Sequence, residues 1–239
     1  MIVLLLGSGL PALRAAAWPR HRFDRIVAIN NAWRVRPDWD HLIHPWDFPA
    51  DRLPDCRPGQ QLVTEAEFVP AQNAWGGFVY AGATMAFTAA YWALQVLKPR
   101  VLALMGCDMH YPATGPTHFY GTGTADPLRQ DITLRSLEAK SARLRVLAAR
   151  QGVAVVNLST GPTRLALPRS TPAALAQCRP LPVWNMIATQ AIAREAELGY
   201  VTASGRYWEE LHRFDPAEID RLDGLWLAAG QIPAARRQR

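Results

Sequence analysis

The sequence predicts an α/β protein built on a doubly wound, mainly parallel sheet. Short apolar runs recur through the first two thirds of the chain, and most end at glycine, asparagine or proline, as is typical of strands buried on both faces of a parallel sheet. Helix-like segments separate these runs, and this alternation favours a sheet with helices on both faces. The predicted strands are residues 2–6, 25–29, 42–43, 101–105 and 153–158.

Residues that typically begin or end helices indicate the structure of the segments between the strands. Pro11 predicts a helix over 12–17, because proline is favoured in a first helical turn. Residues 45–74 are rich in proline and polar residues, so we expect loop with short elements there. The segment 82–97 is apolar almost all round, which indicates a buried helix that Pro99 ends.

The segment 109–126 has no periodicity and predicts a long loop, and loops of this kind are usually functional or disordered. Asp126 and Pro127 are suited to begin the next helix, and Gly152 is suited to end it. Within that helix, leucines recur at helical spacing. They are Leu134, Leu137, Leu144 and Leu147.

The pattern changes near residue 181. We expect a nucleotide-binding, catalytic domain over residues 1–180 and a helical C-terminal extension over 181–239. The extension is predicted to contain two helices of mixed polarity, at 183–198 and 207–229, followed by a basic tail. A chain of 239 residues fits one large domain with a smaller appendage.

The charge is unusual in its chemistry. The net charge is +6, and only Lys98 and Lys140 are lysines among 26 basic residues. The arginine guanidinium can donate two parallel hydrogen bonds to a phosphate or a carboxylate, which suits an anionic partner. An arginine-rich solvated surface explains the same composition. No interleaving of basic and aromatic residues resembles a nucleic-acid module, so we expect no nucleic-acid partner.

The cysteines and the apolar runs bear on location. Cys56, Cys107 and Cys178 are scattered, which argues against a disulfide framework or a cysteine-rich zinc site and suits a reducing compartment. No apolar run approaches the about 18–20 residues of a membrane helix. The first residues lack a basic leader and a cleavage site. We therefore expect a cytoplasmic protein without a transmembrane segment, and an oligomer is compatible with the sequence.

The first predicted strand is followed by Gly7-Ser8-Gly9-Leu10-Pro11-Ala12. This segment fits the G-x-G-x-x-G/A pattern, in which glycines make a tight turn and a helix N-terminus receives an anion. Its place between a strand and a helix supports a phosphate-binding loop. A plain turn from strand to helix remains the alternative.

The second predicted strand ends at Asn30 and Asn31, where an NAD site would have an acidic residue for the ribose hydroxyls. Asparagine can bond a ribose or a base edge, so the pattern favours a nucleotide other than a dinucleotide. Two asparagines that stabilise a turn are the alternative.

Histidines and an aspartate follow the remaining strands. His44 follows the third predicted strand, Asp108 and His110 follow the fourth, and His118 lies in the long loop. Because parallel strands bring such positions to one edge, we expect these groups to converge, with histidine as a general base or acid. His44, Asp108 and His110 could also ligate a metal, but no spacing requires one, and we expect neither metal nor cofactor.

Two common catalytic signatures are missing. No G-x-x-x-x-G-K-[ST] segment occurs, which disfavours a P-loop kinase. No G-x-S-x-G segment occurs either, so the sequence lacks the nucleophile elbow of the hydrolases.

The order of five short motifs over about residues 1–165 resembles the bacterial sialyltransferases of glycosyltransferase family 42. Their G-N-G-P-S loop is similar to the segment that begins at Gly7, and their strands ending in Asn and Asn-Pro are similar to those ending at Asn30 and at His44-Pro45. Their T-S-G, helix, strand and G-I-D segment is similar to the stretch from Gly82 to Asp108. Their S-H-Y-I-G is similar to Thr117-His118-Phe119-Tyr120-Gly121. Flagellar motility-associated glycosyltransferase-like proteins and archaeal 6-hydroxymethylpterin diphosphokinase share this organisation.

The resemblance implies a Rossmann-like fold that binds a nucleotide-activated sugar without a metal. It implies a CMP-type donor, a hydroxyl acceptor, and catalytic roles for His118 or His110 as base, with Tyr111 or Tyr120 assisting the leaving phosphate. The implied donor site consists of Gly7, Ser8, Gly9, Asn30, Asn31, His44, Gly82 and Asp108.

The sequence departs from the family at three places. Tyr80 and Ala81 replace the threonine and serine before Gly82, which removes two phosphate-binding hydroxyls. His110 takes the place of the first tyrosine after the G-I-D aspartate. Thr122 stands where the family has its catalytic histidine, so another histidine would have to act as base.

Three hypotheses of function remain from the sequence. The first is a sialyltransferase-like glycosyltransferase with a histidine base. The second is a 6-hydroxymethylpterin diphosphokinase-like enzyme that uses ATP and Mg²⁺, with Asp108 as the carboxylate ligand. The third is a non-catalytic nucleotide- or carbohydrate-binding protein, which Thr122 motivates.

Overall fold

The computed structural model describes residues 1–111, 114–122 and 129–231 of the chain. Over these residues six strands form one sheet in the order β4-β3-β2-β1-β5-β6, and every pairing is parallel. This confirms the predicted doubly wound parallel sheet. The strands are β1 (Ile2–Leu6), β2 (Arg25–Ile29), β3 (His41–Ile43), β4 (Gln61–Val63), β5 (Val101–Met105) and β6 (Ala154–Asn157).

Helices cover both faces of the sheet. The α-helices of the described residues are α1 (Glu65–Asn73), α2 (Phe78–Ala81), α3 (Met85–Trp92), α4 (Leu137–Arg150), α5 (Asn185–Leu198) and α6 (Pro216–Ala229). Two 3₁₀ helices, Leu10–Ala17 and Asn30–Val35, follow β1 and β2. Within the described residues, no helix is both long enough and apolar enough to cross a membrane.

The strands are apolar throughout because both of their faces are buried. Along β1, Val3 and Leu5 belong to one hydrophobic cluster, and Leu4 and Leu6 belong to another. The first cluster also contains buried side chains of the α-helices, and the second contains those of the two 3₁₀ helices. Successive residues of a strand point to opposite faces, so a continuous apolar run is what such a strand requires.

Residues 45–74 contain two elements that the sequence did not locate. Strand β4 is only three residues long and pairs with β3 at the edge of the sheet. Helix α1 contains Pro70 and has no clear apolar stripe, so periodicity does not reveal it. Its N-terminus carries a capping box, in which the Glu67 carboxylate accepts from the Thr64 amide at 2.8 Å.

Two predicted helices differ in their bounds or type. The segment predicted at 12–17 forms the 3₁₀ helix Leu10–Ala17. The buried helix predicted at 82–97 begins at Met85 and ends as a π-helical turn over Ala93–Leu97. Gly82 stands before it with a φ of +87°, which separates α2 from α3.

Helix α4 begins later than the sequence suggested. The Ser136 side chain caps it by accepting from the Ala139 amide at 3.1 Å. Leu134 lies outside it, in a short 3₁₀ turn. The predicted helix start at Asp126 and Pro127 lies outside the described residues.

The C-terminal helices pack directly on the sheet-bearing part. Helices α5 and α6 contact each other, α6 contacts α4, and buried side chains of both helices join the larger hydrophobic cluster. The helix predicted at 207–229 is instead two 3₁₀ turns and then α6, which starts at Pro216 after the Asp215 cap. Proline disfavours helix in the residue before it, which explains the late start.

A buried ion pair joins these helices to the core. The Arg143 guanidinium donates to both carboxylate oxygens of Glu195, at 2.8 and 2.7 Å, and to the Tyr91 hydroxyl at 2.8 Å. The Trp226 indole donates to the same carboxylate at 2.7 Å. Burial alone would lower the pKa of Arg143, but the Glu195 carboxylate raises it above its usual range. Arg143 is only 2% exposed, so each charge depends on the other.

Glu195→Ala is expected to destabilise the protein by about 3–5 kcal/mol, because it leaves the buried Arg143 charge unpaired. The measurement is the free energy of unfolding in urea. Glu197→Ala, on the exposed side of the same helix, is the matched control, with a change below about 1 kcal/mol. Equal effects of the two substitutions would contradict a central role for the buried pair.

Candidate functional site

A cavity of about 420 Å³ opens at the carboxyl edge of the sheet. From β1 the strand order runs through β2 to β4 on one side and through β5 to β6 on the other. The cavity lies at the point where the order changes direction, which is the switch point of the sheet. Ligands of open α/β sheets bind at such switch points. Its lining comprises Ser8, Gly9, Leu10, Pro11, Ile29, Asn30, Thr84, Met85, Ala86, Gly106, Asp108, Met109, His110, Tyr111, Thr117, His118, Tyr120, Gly161 and Pro162.

Glycines allow the loop after β1 to pack closely against the turn after β5. The Gly7 amide donates to the Met105 carbonyl at 2.8 Å, and the Gly9 amide donates to the Gly106 carbonyl at 2.9 Å. A Cβ atom at Gly7 would lie 2.4 Å from the Gly106 oxygen, and one at Gly106 would lie 2.7 Å from the Ala12 side chain. These glycines are therefore needed for the contact between two backbones.

Two non-glycine residues at strand ends adopt left-handed backbone conformations at the cavity. Asn30 has a φ of +51°, as does Met109. The Asn30 Oδ1 atom is shielded from solvent and has no hydrogen-bond partner among the described residues. Unfavourable backbone conformations outside glycine cluster at binding and active sites, so these two positions support a functional cavity.

Two helix N-termini face the cavity. The 3₁₀ helix Leu10–Ala17 begins there without a side-chain cap. Helix α3 also begins there, and its Thr84 cap accepts only from the Phe87 amide, at 3.3 Å. The amides of Met85 and Ala86 have no acceptor within the helix. Both helix ends place positive partial charge in the cavity, which suits an anion.

A tight turn closes one side of the cavity. The His118 amide donates to the Gly121 carbonyl at 3.0 Å, and the Phe119 amide donates to the Ser8 carbonyl at 3.1 Å. The His118 ring stacks on the Tyr120 ring with centroids 5.1 Å apart and 18° between the planes. Its Nδ1 lies 2.9 Å from the Thr117 hydroxyl oxygen. The imidazole is therefore held in one orientation beside the glycine loop.

Asp108 is a buried carboxylate in the lining. Its Oδ1 accepts from the Asn157 side-chain amide at 2.8 Å and lies 3.9 Å from an Arg169 nitrogen. Its backbone carbonyl accepts from the Arg164 amide at 2.9 Å and from the Thr163 hydroxyl at 3.4 Å. Its Oδ2 is shielded from solvent and has no partner among the described residues.

A second polar cluster supports the start of α3. The Thr133 hydroxyl accepts from the Ala83 amide at 3.1 Å and donates to Asp131 at 2.7 Å. The Tyr207 hydroxyl donates to Asp131 at 2.5 Å, and Arg129 donates to it at 3.0 Å. Burial would raise the pKa of Asp131, but these hydrogen bonds hold it below its usual value. Burial and the same carboxylate raise the pKa of Tyr207 to about 12.

The structure brings together most of the residues that the sequence singled out. Predicted residues that line the cavity are Ser8, Gly9, Asn30, Asp108, His110, Tyr111, His118 and Tyr120. His110 is exposed, whereas His118 is half-buried. Thr122, at the place of the family histidine, is also exposed and does not line the cavity.

Four predicted residues lie outside the lining. Gly7 is behind the loop, where it packs on Gly106. Asn31 is buried in the 3₁₀ helix after β2. The His44 ring contacts the Phe48 ring in a tilted arrangement with centroids 5.5 Å apart, and its Nδ1 lies 3.0 Å from the Pro45 carbonyl oxygen, so it faces its own turn.

Gly82 is the fourth of these residues. A Cβ atom there would lie 2.8 Å from the Phe87 ring, and its carbonyl accepts from Gln72 at 3.2 Å. It therefore shapes the turn between α2 and α3. Across the described parts of the chain, no group of three metal-ligating side chains is assembled.

Sequence reasoning missed two parts of the site. The start of α3 at Thr84, Met85 and Ala86 was not recognised as part of the site, because the apolar segment continues from α2 into α3 without a visible break. Thr84 before an apolar run is nevertheless an N-cap signal. Gly161 and Pro162, which follow β6, carried no recognised motif. The bond between Asn157 and Asp108 joins residues 49 positions apart, and no local pattern reports it.

A comparison of the chain with protein-family models, curated proteins and solved structures finds no match in any of the three.

Gly7→Ala is expected to destabilise the protein by about 1–3 kcal/mol, because its Cβ atom would displace the turn after β5. Urea unfolding provides the measurement. Gly161→Ala is the matched control at the cavity rim, since a Cβ atom there has no neighbour within 4 Å. We expect that control to change stability by less than about 0.5 kcal/mol. If Gly7→Ala unfolds like the control, the two loops do not depend on close packing.

Proposed function

We propose that this protein is a transferase that binds a nucleotide-activated sugar and uses His118 as the base that activates a hydroxyl acceptor. One observation carries the proposal: two helix N-termini and an oriented imidazole share one cavity at the switch point of the sheet. The resemblance in motif order to the sialyltransferase family agrees with this assignment.

The helix ends supply the binding site for the donor's phosphate. The amides of Ser8 and Leu10 have no partner among the described residues, and those of Met85 and Ala86 begin α3. Amides fixed in this way need no rearrangement to bind negative charge, so they also stabilise charge that develops on a departing phosphate.

The histidine supplies the proton transfer. As the acceptor oxygen attacks the anomeric carbon, its proton passes to the His118 imidazole, and the bond between that carbon and the phosphate oxygen breaks. The nucleotide leaves with the bonding electrons. Contact with Thr117 and stacking on Tyr120 orient the ring, and His110, which is exposed, has no comparable ring contact among those described.

Calorimetric titration with CMP, CDP, UDP and GDP tests binding. We expect at least one to bind without added metal, because backbone amides rather than a cation bind the phosphate. Binding of none of them would overturn the proposal. Binding of ATP that requires Mg²⁺ and is lost in Asp108→Asn would instead favour pyrophosphoryl transfer.

His118→Ala is expected to lower turnover by about 10²–10⁴-fold with nucleotide affinity unchanged, as for loss of a general base. The measurement is release of CMP from CMP-sialic acid in the presence of hydroxyl acceptors. His21→Ala, at an exposed position away from the cavity, is the control and should leave turnover unchanged. A bound nucleotide with no turnover in the wild-type protein would indicate a binding protein instead.

A further inference from the structure

Asp108 has a feature that the transfer reaction does not explain. It is only 8% exposed, and its Oδ2 is shielded from solvent without a partner in the described parts of the chain. A buried polar atom left unpaired is unfavourable, and such atoms in folded proteins call for a specific explanation. The residue lines the cavity, so a ligand atom can supply the missing partner.

The neighbours of Asp108 fix which of its oxygens is left for a ligand. The Asn157 side chain is oriented because its Oδ1 accepts from the Ser159 amide at 2.9 Å, which leaves its NH₂ group to donate to Asp108. Asn157 is 1% exposed, so this arrangement is enclosed. The Arg169 nitrogen at 3.9 Å is likewise placed beside the Oδ1 oxygen.

The chemistry of the missing partner follows from the charge. A carboxylate accepts hydrogen bonds and repels anions, so phosphate and any acidic sugar belong at the helix ends rather than beside Asp108. In a CMP-type donor with an acidic sugar, the part without a formal charge is the nucleoside, whose hydroxyl and amino groups are donors. No Lys or Arg side chain lines the cavity among the described residues, so no cation of the lining competes for this oxygen.

We propose that Asp108 selects the nucleoside of the donor by accepting a hydrogen bond from a nucleoside N–H or O–H group, and that Asn157 is the positioning residue that orients it. This inference rests on the proposed nucleotide-binding function. It adds a residue that determines specificity and a second residue that acts only through the first.

Asp108→Asn is the sharpest test, because the amide has the shape of the carboxylate. Its oxygen can still accept from Asn157, and its NH₂ group then takes the place of the unpaired Oδ2 acceptor. Affinities for CMP, UMP, 2′-deoxy-CMP and 3′-deoxy-CMP are measured by calorimetry. UMP replaces the base amino group with an acceptor, and each deoxynucleotide lacks one hydroxyl.

In the wild-type protein one of these analogues should bind about 10- to 100-fold more weakly than CMP, the range for a hydrogen bond to a charged group. Asp108→Asn should remove that preference by weakening CMP and not the discriminated analogue. Asn157→Ala should reduce the same preference while affinity for that analogue is unchanged. The discriminated analogue identifies the group as the base amine or a ribose hydroxyl.

A thermal melt without ligand separates this role from a structural one. In Asp108→Asn, Arg169 keeps its hydrogen bonds to the Ser159 and Gly161 carbonyls, so its charge is not left without partners. This substitution should therefore not lower the Tm. Asp223→Asn is the matched control: Asp223 is 4% exposed and also has an unpaired Oδ2 among the described residues, but it pairs with Lys140 at 2.8 Å in the core. That variant should lower the Tm and leave the nucleotide preference unchanged.

The outcomes separate the two levels of the proposal. If the wild-type protein binds nucleotides and Asp108→Asn weakens all of them equally, or none of them, the assignment of Asp108 is overturned and the proposed function stands. A fall in Tm for Asp108→Asn that matches Asp223→Asn, with preference retained, also overturns it. If the wild-type protein binds no nucleotide, the proposed function and this inference are both overturned.

Discussion

The close approach of two backbones, at the ends of β1 and β5, is the constraint on which the cavity depends. Gly7 and Gly9 lie against Gly106, and amide-to-carbonyl bonds of 2.8 and 2.9 Å hold the loops together. A side chain at these glycines would separate the loops, and the glycine loop and the Asp108 segment would then no longer share a wall. Main-chain packing therefore sets the shape of the site, and side chains supply its chemistry.

Much of the fold could be predicted because burial on both faces leaves a local signature. Strands β1, β2 and β5 coincide with continuous apolar runs, whereas β4, with three residues at the sheet edge, has too little pattern to detect. The site divides in the same way. Asn30 and Asp108 could be found because they follow detectable strands. Asn157 is the last residue of a detectable strand, but its importance depends on a hydrogen bond across the fold, and no spacing in the sequence encodes it.

The cavity is electrostatically polarised. Positive helix ends lie at Leu10 and Met85, and a carboxylate oxygen without a described partner belongs to Asp108. A ligand with one anionic and one hydrogen-bond-donating part has a single favourable orientation in such a field. Helix N-termini can attract an anion without a charged side chain, and the described lining of this cavity contains no lysine or arginine.

The hydroxyl of Tyr207 gives the C-terminal region a part in the cavity wall. It donates to Asp131, which accepts from Thr133, and the Thr133 hydroxyl accepts from the amide of Ala83 just before α3. A truncated chain that ended near residue 180 would lose this support along with Glu195, the counter-ion of Arg143. A shorter chain that kept the cavity would need another hydrogen-bond donor to Asp131 in place of Tyr207. It would also need either an uncharged residue at position 143 or another acidic side chain to pair with Arg143.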